Sequence, residues 1–301
     1  MTWSVDHRRS PIPLLPPEQL AQLAGGYRAA VAARRRRTAV AATALFVAVA
    51  IAASGAEIDL PKLIHNIHRF PNYFVGLLPS LTWDRLATDI GEWFWNFDHW
   101  LKLLIDTLLI AYAGTLFGAI AGFCLCFPAA ANLSRRPLLR SVVRRLLEFC
   151  RSVPDFVFAL LFVTAFGLGA MPGVLALAVH TTGALGKLFA EVVENIDMRP
   201  VEGVTAGGAS TVQMIRFAVL PQVAANFASY ALLRFEINVR GAAIMLGFVG
   251  AGGIGQDLLE AVRKFYYSDV SAILLMIIAT VMLIDLGTER LRHTLSGLER
   301  P

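Results

Sequence analysis

The 301-residue sequence carries little charge for its length. Only 16% of its residues are Asp, Glu, Lys or Arg, against about 25% in an average soluble domain. A soluble enzyme of this size would need more charge to cover its surface, so that class is excluded. The charges present are also unevenly placed, because five long runs carry none. These runs are 38–56, 107–134, 156–186, 217–233 and 270–284, with His180 counted as neutral.

Uncharged runs of this length predict an all-α membrane protein. A helix needs about 20 apolar residues to span the hydrocarbon core of a bilayer, and several of the runs qualify. The run 156–186 is too long for one helix and is interrupted by two glycine-containing turns and a proline at 167–173, so we divide it between two helices. The sequence therefore predicts a polytopic chain with six transmembrane helices.

The sequence also lacks the patterns of membrane-bound enzymes. It has no P-loop, G-x-x-x-x-G-K-[ST], so any ATP hydrolysis belongs to a partner. Paired catalytic acids, a His-rich metal cluster and a Ser/His arrangement at catalytic spacing are missing. Its cysteines are Cys124, Cys126 and Cys150, with no nearby His to complete a metal site. We predict a chain that is not an enzyme and that binds no metal or other cofactor.

Arginines cluster at alternate ends of the predicted spans, and this bias indicates topology. Residues 34–37 are an unbroken arginine run directly before the first span. Lys and Arg favour the cytoplasmic side of a membrane, so both termini are predicted to be cytoplasmic in an inner membrane. The net charge of +5 then reflects topology and predicts no nucleic-acid partner. The other arginines of this set are Arg135, Arg136, Arg140, Arg144, Arg145, Arg151, Arg290, Arg292 and Arg300.

The charge pattern divides the chain into four segments. Residues 1–37 are predicted as a cytoplasmic lead and 38–101 as the first transmembrane helix with a long external loop. Residues 102–292 form a core of five helices, and 293–301 form a cytoplasmic tail. Three glycines at four-residue spacing put small residues on one face of the second span, where a neighbouring helix can approach closely. They are Gly114, Gly118 and Gly122.

Residues 197–221, between predicted spans four and five, carry signals for two short helices joined by a turn. Pro200 suits the first turn of a helix, where its missing N–H costs no hydrogen bond. Gly207 and Gly208 end or turn that helix. We call residues 197–221 the elbow segment, and the predicted topology places it in the cytoplasm.

A second helix is predicted in the elbow segment after the two glycines. Ser210 and Gln213 form a capping-box pattern at its start. Leu220 followed by Pro221 predicts its end, because the residue before a proline avoids the α region. Short amphipathic helices of this kind fit grooves on partner proteins. The elbow segment is therefore a candidate contact surface for another protein.

The elbow segment resembles the cytoplasmic loop of ABC-importer permeases, whose pattern is E-A-A, three residues, G, nine residues, I-x-L-P. The matching residues are Glu202, Gly208, Leu220 and Pro221. The departures are Gly203 and Val204 in place of the two alanines, and Ala218 in place of the isoleucine. Two further stretches, 234–240 and 247–256, are similar to the phosphonate-uptake permeases in particular.

This resemblance implies a type I ABC-importer permease fold, with the chain as a transmembrane subunit. Two copies would form a homodimer around a central pathway, and two ATPase subunits, which bind ATP and Mg²⁺, would each clasp one elbow segment. An external phosphonate-binding protein would deliver phosphonate or a related phosphorus oxyanion. A permease for another small solute, or a secondary transporter without an ATPase, is the alternative. The residues that the resemblance assigns to ATPase coupling are Glu202, Gly207, Gly208, Ser210, Leu220 and Pro221.

The stretch FVGAGGIGQDL, residues 248–258, fits the dinucleotide-binding spacing G-x-G-x-x-G. A dinucleotide fold needs a parallel sheet around that turn, and this chain has no strand–helix–strand unit to supply one. The family resemblance instead implies a tight, irregular re-entry after the fifth span, which is tolerated at membrane depth when it is buried in protein. The glycines concerned are Gly250, Gly252, Gly253 and Gly255.

Charged residues inside the predicted fifth span are costly and are usually functional. Glu236 and Arg240 have the i, i+4 spacing of a structural ion pair, which is one interpretation. In the other, Arg240 or Arg234 faces the transport pathway, because an arginine fork matches phosphate-like oxygens. Asn238 and Tyr230 are then candidates for further hydrogen bonds to the substrate.

Overall fold

A computed structural model describes residues 16–56, 59–79, 81–134 and 136–297. Within these ranges every regular element is helical. The chain divides into two compact units between Pro71 and Asn72. The first unit contains α1 (Pro17–Gly55) and α2 (Leu60–Asn66), and α3 (Arg69–Leu77) crosses the division. The second unit contains α4 (Leu86–Trp93), α5 (Phe97–Ala129), α6 (Pro137–Ser152), α7 (Asp155–Phe166), α8 (Ala170–Glu194), α9 (Met198–Ala206), α10 (Thr211–Met214), α11 (Leu220–Val249), α12 (Ile254–Arg263) and α13 (Tyr267–Gly297).

Four of the described helices are long and apolar enough to cross a bilayer: α1 over residues 25–55, α5, α8, and α13 over residues 267–292. A fifth candidate is α11 followed by α12, with a bend of 57° between them. The predicted fold class, an all-α polytopic membrane protein, is confirmed. Five of the six predicted spans correspond to these candidates, and the predicted third span corresponds to the shorter apolar helix α7.

The predicted third span, which ends before the glycines at 167–173, corresponds to α7 alone. α7 has 12 residues, or about 18 Å, which is short of the ~30 Å hydrocarbon core. The preceding α6 lies where the sequence predicted an arginine-rich loop. That expectation was wrong because the arginines of α6 leave its other faces apolar. Leu147 packs against Gly186 of α8, and the backbone of Arg151 packs against Gly183, so α6 runs along the second half of α8.

The helices α5 and α8 run parallel in close contact. The three glycines of α5 that were predicted to lie on one face all point at α8. The facing pairs are Gly114–Leu177, Gly118–Thr181 and Gly122–Gly186. A Cβ atom added at Gly118 would lie 2.5 Å from the Cβ of Thr181, so only glycine fits without movement of the helices. Both helices finish at one end of the bundle, which we call the elbow end.

Helix α11 runs antiparallel to α5 and α8, and α13 returns beside it. At the elbow end, the ring of Phe227 stacks on that of Phe189 with centroids 4.1 Å apart. At the other end, which we call the far end, Leu246 of α11 lies where a side chain at Gly173 would point. Asp285 of α13 pairs with Arg240 of α11, which sets the two helices side by side.

Candidate functional site

The elbow segment begins with a capped helix, α9. The Asp197 side chain accepts a hydrogen bond from the Arg199 backbone N–H at 3.0 Å, which satisfies one of the free donors of the first turn. Pro200 lies in that turn, as predicted. Glu202 is exposed on the same helix. Gly208 follows the helix at φ +83°, a conformation that favours glycine.

The capping box predicted for the second elbow helix is present. The backbone N–H of Ser210 donates to Gln213 Oε1 at 2.8 Å, and the backbone N–H of Gln213 approaches Ser210 Oγ at 3.5 Å. Helix α10 starts there and keeps α-helical hydrogen bonding only as far as Met214. The start of this helix was therefore readable from the sequence.

The predicted end of that helix at Leu220 and Pro221 is wrong. The chain stays helical from Thr211 to Val249, through a π-helical turn at Ile215–Val219. The Leu220 N–H bonds to the carbonyl of Ile215, five residues back. This wider turn lets Pro221 enter the first turn of α11, where a missing N–H and a proline ring are tolerated. The second elbow helix and α11 are thus one continuous helix from Thr211 to Val249, which we call the continuous lever.

The start of the elbow segment is fixed to that lever. The Asp197 backbone N–H donates to Gln222 Oε1 at 3.0 Å, and Gln222 Nε2 donates to the carbonyls of Asp197 and Ala218. At the end of α5, Asn132 Nδ2 donates to the Val193 carbonyl at 2.7 Å. The Gln222 bonds join the start of the elbow segment to α11, and the Asn132 bond holds the end of α8 just before it.

Asn238 of α11 is turned into the protein core. Its side chain is 1% exposed, and its amide donates to Thr115 Oγ1 at 2.8 Å and to Thr181 Oγ1 at 2.9 Å. These bonds join α11 to α5 and α8. The structure therefore gives Asn238, a predicted pathway residue, a packing role in this conformation.

The predicted ion pair between Glu236 and Arg240 is absent, because α13 supplies a partner for each. Glu236 is 6% exposed and accepts from Arg292 Nη2 at 2.7 Å and from the Thr288 hydroxyl. Arg240 Nη2 donates to Asp285 Oδ2 at 2.6 Å. The spacing within α11 alone gave no information about α13, which is why the pairing was missed. Glu236 is a core residue, and Arg240 remains half-exposed.

Arg234 and Tyr230 are half-buried on the side of α11 that faces α8. Arg234 Nε is buried and makes no hydrogen bond to any residue that the structure describes. Tyr230 lines a groove between α8 and α11 at the elbow end. Of the predicted pathway residues, Arg234, Tyr230 and Arg240 remain accessible. Among the described residues, no cluster of His, Cys, Asp and Glu is placed to hold a metal ion.

The glycine-rich stretch forms the bend between α11 and α12. Gly250 caps α11 at φ +68°, and Gly252 and Gly253 have φ values of +88° and +81°. These three positions lie where side chains are strained. A Cβ at Gly247 would lie 2.1 Å from the Gly255 carbonyl, and a Cβ at Gly255 would lie 2.3 Å from the Ala243 carbonyl oxygen. Thr107 Oγ1 accepts from the Ile254 N–H at 2.9 Å, so the bend is buried against α5.

Long apolar helices with a protruding elbow at one end define an integral membrane transport subunit. Residues 114–296 match the family described as the binding-protein-dependent transport system inner membrane component, and the chain belongs to this family. It is a permease subunit of an ABC importer and not an enzyme. It works with a partner permease, ATPase subunits and a binding protein.

Two curated relatives and one solved structure show how far the likeness extends. The chain is 43% identical over 221 residues to the phosphite transport system permease protein PtxC of Stutzerimonas stutzeri, covering 71% of this chain and 80% of that protein. It is 42% identical over 192 residues to the phosphate-import permease protein PhnE of Mycolicibacterium smegmatis, covering 63% of this chain and 36% of that protein. The inward-facing MetNI methionine ABC transporter superposes with a TM-score of 0.57 at 20% identity, over 65% of this chain and 95% of that chain. That likeness concerns the fold alone.

Proposed function

We propose that this permease forms the path by which phosphonate or a related phosphorus oxyanion, such as phosphite, is imported across the inner membrane. The observation that carries the proposal is the continuous lever from the elbow segment through α11. An ATPase that moves the elbow would move the helix on which Arg234 and Arg240 lie. The substrate class is supported by the relatives, which are named for phosphite and phosphate transport.

In this proposal the elbow segment is cytoplasmic and contacts the ATPase. Glu202 is exposed on α9 and supplies a carboxylate for a basic residue of the ATPase. Gly207, Gly208 and Ser210 form the turn between the two elbow helices, and Leu220 and Pro221 join the elbow to α11. ATP and Mg²⁺ bind to the ATPase, this chain binds no cofactor, and two copies of it form a homodimer.

Uptake measurements with matched glutamate variants test this function. The chain is expressed with its ATPase and binding protein in cells that lack their own phosphite and phosphonate uptake. We expect wild-type cells to accumulate phosphite or a phosphonate, and Glu202→Ala to lower uptake at least tenfold and to weaken ATPase co-purification. The control is Glu92→Ala, which replaces an exposed glutamate in α4. It should keep wild-type uptake and wild-type ATPase co-purification.

Three outcomes would overturn parts of the proposal. Uptake of an unrelated solute alone would contradict the substrate class. Uptake without any ATPase would indicate a secondary transporter. A purified complex with one copy of this chain and one copy of a different permease would contradict the homodimer.

A further inference from the structure

A polar stripe runs along α11 from the elbow end to the middle of the bundle. Gln222, Asn226, Tyr230 and Arg234 follow one another at four-residue steps, so all four lie on one side of the helix. The first three line a groove of about 480 Å³. Glu191 and Asn195 of α8 form its opposite wall. The groove leads inward from the elbow end as far as Tyr230, and Arg234 lies one helical turn further along the same side of α11.

The guanidinium at the inner end of this stripe has an unused donor. Arg234 is half-buried, and its Nε has no hydrogen-bond partner within the described part of the chain. The other polar residues of the same helix segment are all bonded: Glu236 to Arg292, Asn238 to two threonines, and Arg240 to Asp285. An arginine at the centre of a span costs about 2.5–3.5 kcal/mol on insertion scales. A buried N–H donor without a hydrogen-bond partner at this depth points to a ligand that is not part of the chain.

Two titratable groups, one at the start of α7 and one within α8, act on the charge of Arg234. Asp155 and His180 are near enough to interact electrostatically with it. His180 Nδ1 lies 3.1 Å from the Val153 carbonyl, so Nδ1 carries the proton that this bond requires and Nε2 is left for another partner. Asp155 accepts from the Phe156 backbone N–H at 2.9 Å, which fixes this carboxylate at the N-terminus of α7. The site thus has one guanidinium that can donate hydrogen bonds to an anion, with an imidazole and a carboxylate in its surroundings.

We propose that Arg234 is the residue that binds the phosphorus oxyanion midway along the pathway, with His180 as its neighbour and the Gln222–Asn226–Tyr230 stripe as the exit to the elbow end. This inference rests on the proposed function. The planar guanidinium offers Nε and one Nη side by side, which matches two oxygens of phosphite, phosphate or a phosphonate. A lysine supplies the charge at this position without that paired geometry.

Uptake by Arg234 variants, with assembly and ATPase activity measured in parallel, tests the site. We expect Arg234→Ala to lower phosphite or phosphonate uptake at least tenfold. Arg234→Lys should retain an intermediate rate, because the charge is kept and the fork is lost. Both variants should still co-purify with the ATPase and keep binding-protein-stimulated ATP hydrolysis. Arg263→Ala, at an exposed position of α12, is the matched control and should transport at the wild-type rate.

A second measurement separates a binding role from a structural one. In a variant without native cysteines, Asn226→Cys places a thiol in the groove, and its reaction with a maleimide should slow at least twofold when phosphite is added to the inward-open complex. The same protection should disappear when Arg234→Gln is added, a change that removes the charge and the fork but keeps a polar side chain.

The outcomes separate this inference from the function it rests on. Wild-type uptake of phosphorus oxyanions together with unchanged uptake by Arg234→Ala would overturn the inference and leave the function standing. If phosphite still protects Asn226→Cys when Arg234→Gln is present, the inference is also overturned. This outcome decides the question even if Arg234→Ala fails to assemble. Failure of the wild-type complex to import any phosphorus oxyanion would instead overturn the function.

Discussion

Asn238 joins three helices through one amide group. Both amide hydrogens go to threonine hydroxyls on neighbouring helices, and Thr115 passes its own hydrogen to the Ala111 carbonyl. Polar residues that are satisfied in this way hold helices in one register. Asn226 lies on the same helix but is exposed in the groove, so the two asparagines have different environments and form a matched pair.

Replacing each of these two asparagines should distinguish the stability contribution of the buried Asn238 from that of the exposed Asn226. Asn238→Ala removes two hydrogen bonds, each worth about 1 kcal/mol net, and leaves a small cavity. We expect a loss of about 2–3 kcal/mol in stability, or roughly 4–12 °C in apparent Tm in detergent. Asn226→Ala should stay within about 0.5 kcal/mol of wild type, as is usual for surface positions. Equal Tm losses would contradict the core assignment of Asn238.

The sequence predicted where the charged residues of α11 lie better than it predicted which residues they pair with. The sequence indicated that Arg234, Glu236 and Arg240 lie inside a span, and they do lie within α11. It could not show that Glu236 and Arg240 use α13, because ion-pair spacing describes one helix while these partners are 56 and 45 residues away. Long-range pairing depends on how helices pack, which the i, i+4 rule does not contain.

At the scale of elements, the sequence predicted the start of a helix more accurately than its end. The capping box of Ser210 and Gln213 acts within four residues, so the sequence contains all of it. Pro221 is different, because a proline ends an α-helix but is tolerated after a π-helical turn. The sequence does not reveal that turn. The same limit applies to α6, a helix in the segment that the sequence predicted as an arginine-rich loop.

The close contact of α5 and α8 gives a prediction about one glycine. In Gly118→Ala, the new Cβ would lie 2.5 Å from Thr181 Cβ and 2.8 Å from the Ala178 carbonyl oxygen. Overpacking of this kind costs about 1–3 kcal/mol, so the Tm should fall and the complex should be recovered in lower amount. Gly287→Ala in α13 is the control, because no atom lies within 4 Å of its added Cβ. A Gly118→Ala protein as stable as the Gly287→Ala protein would contradict the close approach of the two helices.

At the scale of the whole molecule, the arginine pattern and the proposed coupling both predict a cytoplasmic elbow. The positive-inside bias predicts that the arginine clusters are cytoplasmic, and the proposed function requires the ATPase to meet the elbow segment there. Arg144 of α6 pairs with Glu194 at the end of α8, so the arginine-rich helix and the elbow end belong to one end of the bundle. A result that contradicts the predicted topology would therefore also contradict the proposed coupling to the ATPase.

Thiol labelling from one side of the membrane tests this topology. In a variant without Cys124, Cys126 and Cys150, single cysteines are placed at two exposed positions, Thr205 in α9 and Asp84 in the segment before α4. A membrane-impermeant maleimide should label Asp84→Cys in intact spheroplasts and label Thr205→Cys only after the membrane is opened, because the proposed topology makes the elbow segment cytoplasmic. The reverse pattern would place the elbow outside, beyond the reach of any ATPase, and would exclude ATP-driven coupling through α11.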